Sequence, residues 1–444
     1  MTDKEKEEII SKIYKKNERY TIVPCGKWED MIPFRKPITN WYAAQKGNGK
    51  YDYDMYTNNG MDMFYVCLRD DYKTVEEKHI TNSPLDEYGL SMIAVCVNTD
   101  GSLKTCTCRW NDENGGHDHI MDEQQLSDLL GVNFFEVFKP RSPEDIFNNL
   151  EYIDNPICSK LGFKFNKRNR HYYRLKDNKL LKYTECFNNY AGIVCLANTR
   201  LEWYDLETGK EIEPPEQVYG NFSCFDCEDL ITLKGSPKKV GENFSCYNCK
   251  NLTSLEGAPS IVDGDFDCRW CNNLTSLKGS PSEVGGNFDC SYCYNLTSLE
   301  EGPSKVGWDF HCFSCLNLVS LKGAPSKVFG DFYCFGCKKL TLLKYSPSYV
   351  DGDFRCSTCH HLTSLEYAPL VVGGSFDCSG CINLTSLEGA PKKVGGDFNC
   401  AYCSNLESLK GAPVKVWGKF TCEYCSKLTS VDEAPESIRN KIDH

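Results

Sequence analysis

Phe398-Asn399-Cys400-Ala401-Tyr402-Cys403-Ser404-Asn405-Leu406-Glu407-Ser408-Leu409-Lys410-Gly411-Ala412-Pro413-Val414-Lys415-Val416-Trp417-Gly418 is one copy of a unit that begins again at Phe420. Its Cys-x-x-Cys pair recurs from Cys224, Cys246, Cys268, Cys290, Cys312, Cys334, Cys356, Cys378, Cys400 and Cys422, every step being 22 residues. A fixed period of this size marks a solenoid, whose units bury their apolar faces only by stacking on one another. The array runs from about Pro215 to Ile438.

Phe-x-Cys puts two apolar side chains on one face of a strand. The Gly-Gly or Gly-Asp before it is turn chemistry, and Gly-Ala-Pro after it stops regular structure. Leu-x-x-Leu supplies two more inward anchors. No ten-residue amphipathic helix fits between these signals, so the remainder of the unit reads as turns and extended chain.

Phe-x-Cys-x-x-Cys-x-x-Leu-x-x-Leu resembles the leucine-rich-repeat segment with cysteine in place of its asparagine. The downstream Pro-x-x-Val-x-Gly resembles the short bacterial repeats of the BspA or Treponema type. The resemblance implies one parallel strand per repeat on a concave face, ten strands spanning roughly 50 Å at about 4.8 Å each. The first cysteine of each pair departs from it, standing where such repeats more often carry an aliphatic residue or alanine.

The chain has 28 cysteines in 444 residues, a usage typical of secreted disulfide scaffolds or metal sites. Its start, Met1-Thr2-Asp3-Lys4-Glu5, is charged and lacks a secretory apolar segment. No run approaches eighteen apolar residues, so a membrane span is not expected. A reducing cytoplasmic location is expected instead, and with it reduced cysteines. Ten pairs could in principle form five four-cysteine zinc sites. The first cysteine shares the inward face of Phe, however, and the second is expected to turn in beneath the next coil, so buried thiol ladders are the favoured reading over metal and over disulfides.

Residues between the inward anchors point outward. The position after Phe varies freely and includes Asp267, Asp289, His311, Tyr333 and Arg355, while the positions between the cysteines include Trp270, Tyr292, Phe313 and Phe335. Large aromatics on an exposed face are typical interface anchors. These nine residues are the candidate partner-binding face; the competing reading is side-by-side packing between neighbouring strands. The position before Phe is nearly always Asn or Asp, from Asn221 to Asp397, and is expected to bond its own local turn. Across 215–444 there are 21 Lys and Arg against 27 Asp and Glu, so nucleic acid is a poor ligand for the array.

Before the array, residues 3–18 carry Ile9, Ile10, Ile13 and Tyr14 at helical spacing. Met63–Leu68, Leu90–Val97 and Leu103–Trp110 read as strands, with a hairpin turn at Thr99–Ser102. Asp122–Leu130 before Gly131 reads as a capped helix, and Ser142-Pro143 as a helix start. The pattern from Trp41 through Asp62-Met63-Phe64-Tyr65-Val66 to Arg109-Trp110-Asn111 resembles a domain of uncharacterised phage and gut-bacterial proteins, which implies a phage-linked origin and no residue roles. Cys106, Cys108, His117 and His119 form a candidate zinc set, against a reading as strand cysteines plus solvated loop histidines. Residues 164–182 hold eight Lys and Arg and one Asp. Lys167, Arg168, Arg170 and Arg174, interleaved with Phe165, Tyr172 and Tyr173, are candidate contacts for single-stranded nucleic acid, against a solvated hairpin face.

These readings assemble into an α+β domain over 1–150, a β-hairpin segment capping the array over 151–213, and a 22-residue-period leucine-rich-repeat β-solenoid over 214–444. The expected function is recognition of a protein partner on the concave face, without cofactor beyond the zinc set above. The alternatives are an enzyme or toxin-like N-terminal domain targeted by the solenoid, and nucleic-acid binding through 164–182. No phosphate-binding loop, His-Glu-x-x-His or Gly-x-Ser-x-Gly is present, so an enzymatic role has little support in the sequence.

Overall fold

The computed structural model describes residues 3–16, 20–25, 62–68, 92–97, 103–112, 115–120, 122–133, 142–150, 153, 155–166, 170–188 and 192–443. The chain divides into two compact units, 1–182 and 183–444. The division falls inside the segment that the sequence assigns to the cap.

In the first unit the charged N-terminal stretch is helix α1 (Asp3–Lys16), with Ile9 and Ile13 buried one turn apart. Strands β1 (Tyr20–Cys25), β2 (Asp62–Leu68), β3 (Met92–Val97), β4 (Leu103–Asp112) and β5 (Gly115–Ile120) form an antiparallel sheet in chain order. Phe64 and Val95, paired across β2 and β3, are both buried. Helix α2 (Glu123–Leu130) has the expected ends: Asp122 and Gln125 bond reciprocally as a capping box, and Gly131 closes it at φ 64°. Helices α3 (Pro143–Asn149) and α4 (Pro156–Leu161) follow, then the antiparallel pair β6 (Lys164–Asn166) and β7 (His171–Lys176). Asp177 and Asn178, both at positive φ, make the tight turn into β8 (Lys179–Asn188).

The second unit begins within β8, whose residues 184–188 pair with β9 (Ile193–Ala197), which pairs with β10 (Leu201–Asp205) and that with β11 (Lys210–Ile212). The hairpin β9–β10 covers the first coil of the solenoid, as a solenoid edge requires. Trp203 stacks on Phe222 with ring centroids 5.8 Å apart, and its Nε1 donates to the Gly235 carbonyl at 2.6 Å.

Beyond the hairpin the chain is a repeat β-solenoid whose parallel strands recur every 22 residues. Each coil contributes two two-residue strands. The Phe strands, from Phe222–Ser223 to Phe420–Thr421, form one unbroken parallel sheet that ends on Ile442–Asp443. The Val strands, from Gln217–Val218 to Lys415–Val416, form two sheets of five, with a seam between Lys305–Val306 and Lys327–Val328.

Both cysteines, both leucines and the phenylalanine of nearly every coil are 0–2% exposed. Consecutive Phe rings stack face to face, with centroids 4.8 to 5.6 Å apart. A large apolar side chain contributes about 1.5–3 kcal/mol on full burial, and here that burial exists only because a neighbouring coil covers it. Lys278 pairs with Glu256, Lys322 with Glu300 and Lys410 with Glu388 from one coil to the previous one. These pairs are solvent-exposed and add little stability.

The second cysteine does turn in beneath the neighbouring coil. From Cys249 to Cys425, each donates its thiol hydrogen to the carbonyl of the first cysteine one coil earlier, at 3.0 to 3.3 Å. The expectation for the position before Phe is corrected: its side chain bonds between coils, not within a local turn. Asn243 Oδ1 accepts from the Asp265 amide at 2.8 Å, Asp309 Oδ1 from Asp331 at 2.8 Å, and Asp331 Oδ1 from Asp353 at 2.7 Å. The preceding glycine is dictated by this ladder, because a Cβ on Gly352 would lie 2.3 Å from Asp331 Oδ1.

Candidate functional site

The five variable positions after Phe are brought into one row. Asp267, Asp289, His311, Tyr333 and Arg355 are direct partners on successive parallel strands. Arg269 forms a two-pronged pair with Asp267 at 2.9 and 2.8 Å and lies 3.6 Å from Asp289. His311 Nδ1 is 3.5 Å from the same Asp289 carboxylate, and its ring stacks on Tyr333 at 4.7 Å. Arg355 lies over the Tyr333 ring, 4.9 Å from its centroid, and donates to Asp353 at 2.9 Å. The hydrogen bonds to Asp267 hold the Arg269 guanidinium firmly charged. Burial, and then donation to Asp331 at 2.5 Å, push the Tyr333 hydroxyl up from its ordinary value.

The two positions between the cysteines are structurally different. The second adopts the left-handed conformation in all ten coils, at φ 54° to 70°, whether it is Asp226, Asn248, Trp270, Tyr292, Ser314, Gly336, Thr358, Gly380, Tyr402 or Tyr424. Glycine, Asn and Asp tolerate this region; a bulky side chain in it costs roughly 1–2 kcal/mol. Trp270 and Tyr292 occupy this second position and stack at 4.3 Å. Phe313 and Phe335 occupy the first position and stack at 4.5 Å. The two pairs meet through an edge-on contact of Tyr292 with Phe313, 5.1 Å at 80°. The side-by-side packing weighed against binding is therefore present, and it builds a continuous aromatic line of half-buried rings.

The row and the line touch, since His311 lies 6.0 Å from Phe313 and Tyr333 6.1 Å from Phe335. All nine candidate residues thus belong to one surface. Arg269, Asp353 and Tyr294, the last edge-on to Trp270 at 5.8 Å, complete it. Arg269 was visible in the sequence as a cation between two cysteines; nothing local marks Tyr294. The surface combines flat aromatic rings with alternating carboxylates and guanidinium groups, each cation already paired.

The register of β4 and β5 places Cys108 opposite His119 and Trp110 opposite His117. Both histidines are on a strand, which corrects their reading as loop residues. By alternation Cys106, Cys108, His117 and His119 share one face of the hairpin; their side chains lie outside the described residues. Among the described residues no group of three or more His, Cys, Asp and Glu is arranged to hold a metal.

In the basic segment Lys167 and Arg168 lie outside the described residues. Arg170 is exposed at the turn, and Arg174 lies over the Phe163 ring at 5.5 Å. Tyr172 is buried against Phe165 and accepts from Asn155 at 2.9 Å, so it is no platform for a stacked base. Among the described residues no helix is long and apolar enough to cross a membrane. No family model, curated protein or solved structure matches the chain.

Proposed function

We propose that the protein is a recognition protein, built on leucine-rich-repeat-type coils, that binds a protein partner on the surface running from Asp267 to Arg355. The observation that carries this reading is the backbone beneath Trp270 and Tyr292. Equivalent coils place Asn248, Gly336 and Gly380 in the same left-handed conformation without strain. Two large aromatic rings held there against backbone preference, stacked and half exposed, are typical of a site kept for contact. The paired Asp267–Arg269 and Asp353–Arg355 groups would fix register at the rim, where charge sets specificity more than affinity.

The test is affinity capture and cross-linking with the full chain against the same protein carrying Trp270→Asn, Tyr292→Asn and Phe335→Gly. A partner held by the native chain and lost at least tenfold by the variant, with the melting temperature unchanged, supports the reading. Equal capture by both, or loss of capture only when the Val-strand side is altered, overturns it.

A further inference from the structure

The thiol ladder has a head, and its chemistry differs from the rest. Every second cysteine from Cys249 onward donates to a first cysteine one coil earlier, but Cys227 begins the series, and 25 residues before it stands Glu202. Its sulfur instead faces Cys186 Sγ at 3.7 Å. Cys186 reaches it through a β-bulge: β8 pairs Glu185 with Leu196 and Phe187 with Cys195, leaving Cys186 as the extra residue. Of the twenty-three cysteines whose side chains are described, twenty-two are buried and Cys186 is half-buried.

We propose that Cys186 and Cys227 are a thiol-modification site that reacts with a low-molecular-weight disulfide and closes to an intramolecular disulfide. The accessible Cys186, as thiolate, attacks one sulfur of the disulfide and expels the other as a thiol, giving a mixed disulfide at Cys186. Cys227 then passes its proton to the small thiolate expelled in the first step and attacks Cys186 Sγ, releasing the second small thiol. Two protein thiols are oxidised and one small disulfide is reduced to two thiols. Closure needs the sulfurs to approach from 3.7 Å to about 2.05 Å, a movement the bulge can supply. The new bond would tie β8 to the first Cys-x-x-Cys of the solenoid and restrict the unfolded chain. The cysteines deeper in the ladder are as buried as Cys227 but have no half-exposed thiol beside them to form the mixed disulfide.

The native protein, Cys186→Ser and Cys227→Ser are each treated with glutathione disulfide at mildly alkaline pH, then analysed by non-reducing peptide mapping and thermal melting. The native chain is expected to lose two thiols, to link the Cys186 and Cys227 peptides, and to melt higher until dithiothreitol is added. Cys227→Ser should stop at a mixed disulfide on Cys186, and Cys186→Ser should not react. A native chain that stops at the mixed disulfide, links Cys186 to Cys195, or does not react overturns the proposal. The Cys186→Ser arm alone decides it should Cys227→Ser fail to fold, because continued linkage of Cys227 in that variant would also overturn it.

Discussion

The thiol of Cys315 donates to the carbonyl of Cys290 at 3.2 Å, and it supplies what the strand ladder does not. The ladder bonds received by that coil run from Phe266, Cys268 and Trp270 to the carbonyls of Asn287, Asp289 and Ser291, skipping the carbonyl of Cys290. A buried carbonyl without a partner costs about 1–3 kcal/mol. Cys315→Ala should therefore destabilise the solenoid by that amount beyond Cys312→Ala, which removes the same volume and leaves no acceptor unpaired. Urea denaturation of the two variants measures the difference.

Asp331 and Gly352 act as a unit. Asp331→Ala should cost about 1–3 kcal/mol by stranding the Asp353 amide, whereas Asp331→Asn keeps an acceptor and should cost less. Gly352→Ala forces a methyl against Asp331 Oδ1 and the backbone of Gly330. The double variant Asp331→Ala with Gly352→Ala should lose less than the sum of the singles, a coupling read from a double-mutant cycle.

Burial pushes the thiols of Cys312, Cys334 and Cys400 well above their ordinary value of 9.0. A raised folded-state pKa means the stabilisation is complete below the unfolded-state value. Above it the unfolded chain releases protons that the folded chain retains, so stability falls as pH rises, by up to about 1.4 kcal/mol per pH unit for each thiol. The urea midpoint is expected to be flat on this account through neutral pH and to drop steeply above about pH 9. Thiolate absorbance should appear with unfolding and not before it.

Trp270→Gly should be close to neutral for folding, because the loss of a stacked pair worth about 0.5–1.5 kcal/mol is offset by relief of left-handed strain of about 1–2 kcal/mol. Phe266→Ala, four residues earlier but inside the ring stack, should cost about 3–5 kcal/mol. Thermal melts that rank Trp270→Gly as the worse of the two would contradict this account.

The solenoid was legible because its period, inward anchors and turn residues repeat in phase, and local signals at Asp122 and Gly131 place the caps of α2 correctly. The inter-coil bond of the Asn/Asp position was not, since those residues equally suit a local turn and their acceptors bond an amide 22 residues on. The left-handed position was hidden by its own variety, as Asp226, Trp270, Thr358 and Gly380 share a conformation but no chemistry. The loop reading of His117 and His119 failed because β5, opened by Gly115 and Gly116 opposite Asp112 and Asn111, forms despite weak glycine propensity. Trp203 as the lid on Phe222 follows from tertiary packing, to which no periodic pattern points.

The unequal continuity of the two ladders gives the array a mechanical asymmetry. One side is an unbroken hydrogen-bonded rail; the other has a joint between the coil of Tyr292 and the coil of Phe313. At that same boundary the aromatic line changes from face-to-face stacking to an edge-on contact. The candidate surface is therefore made of two stacked halves that meet edge-on where the Val-strand ladder is interrupted.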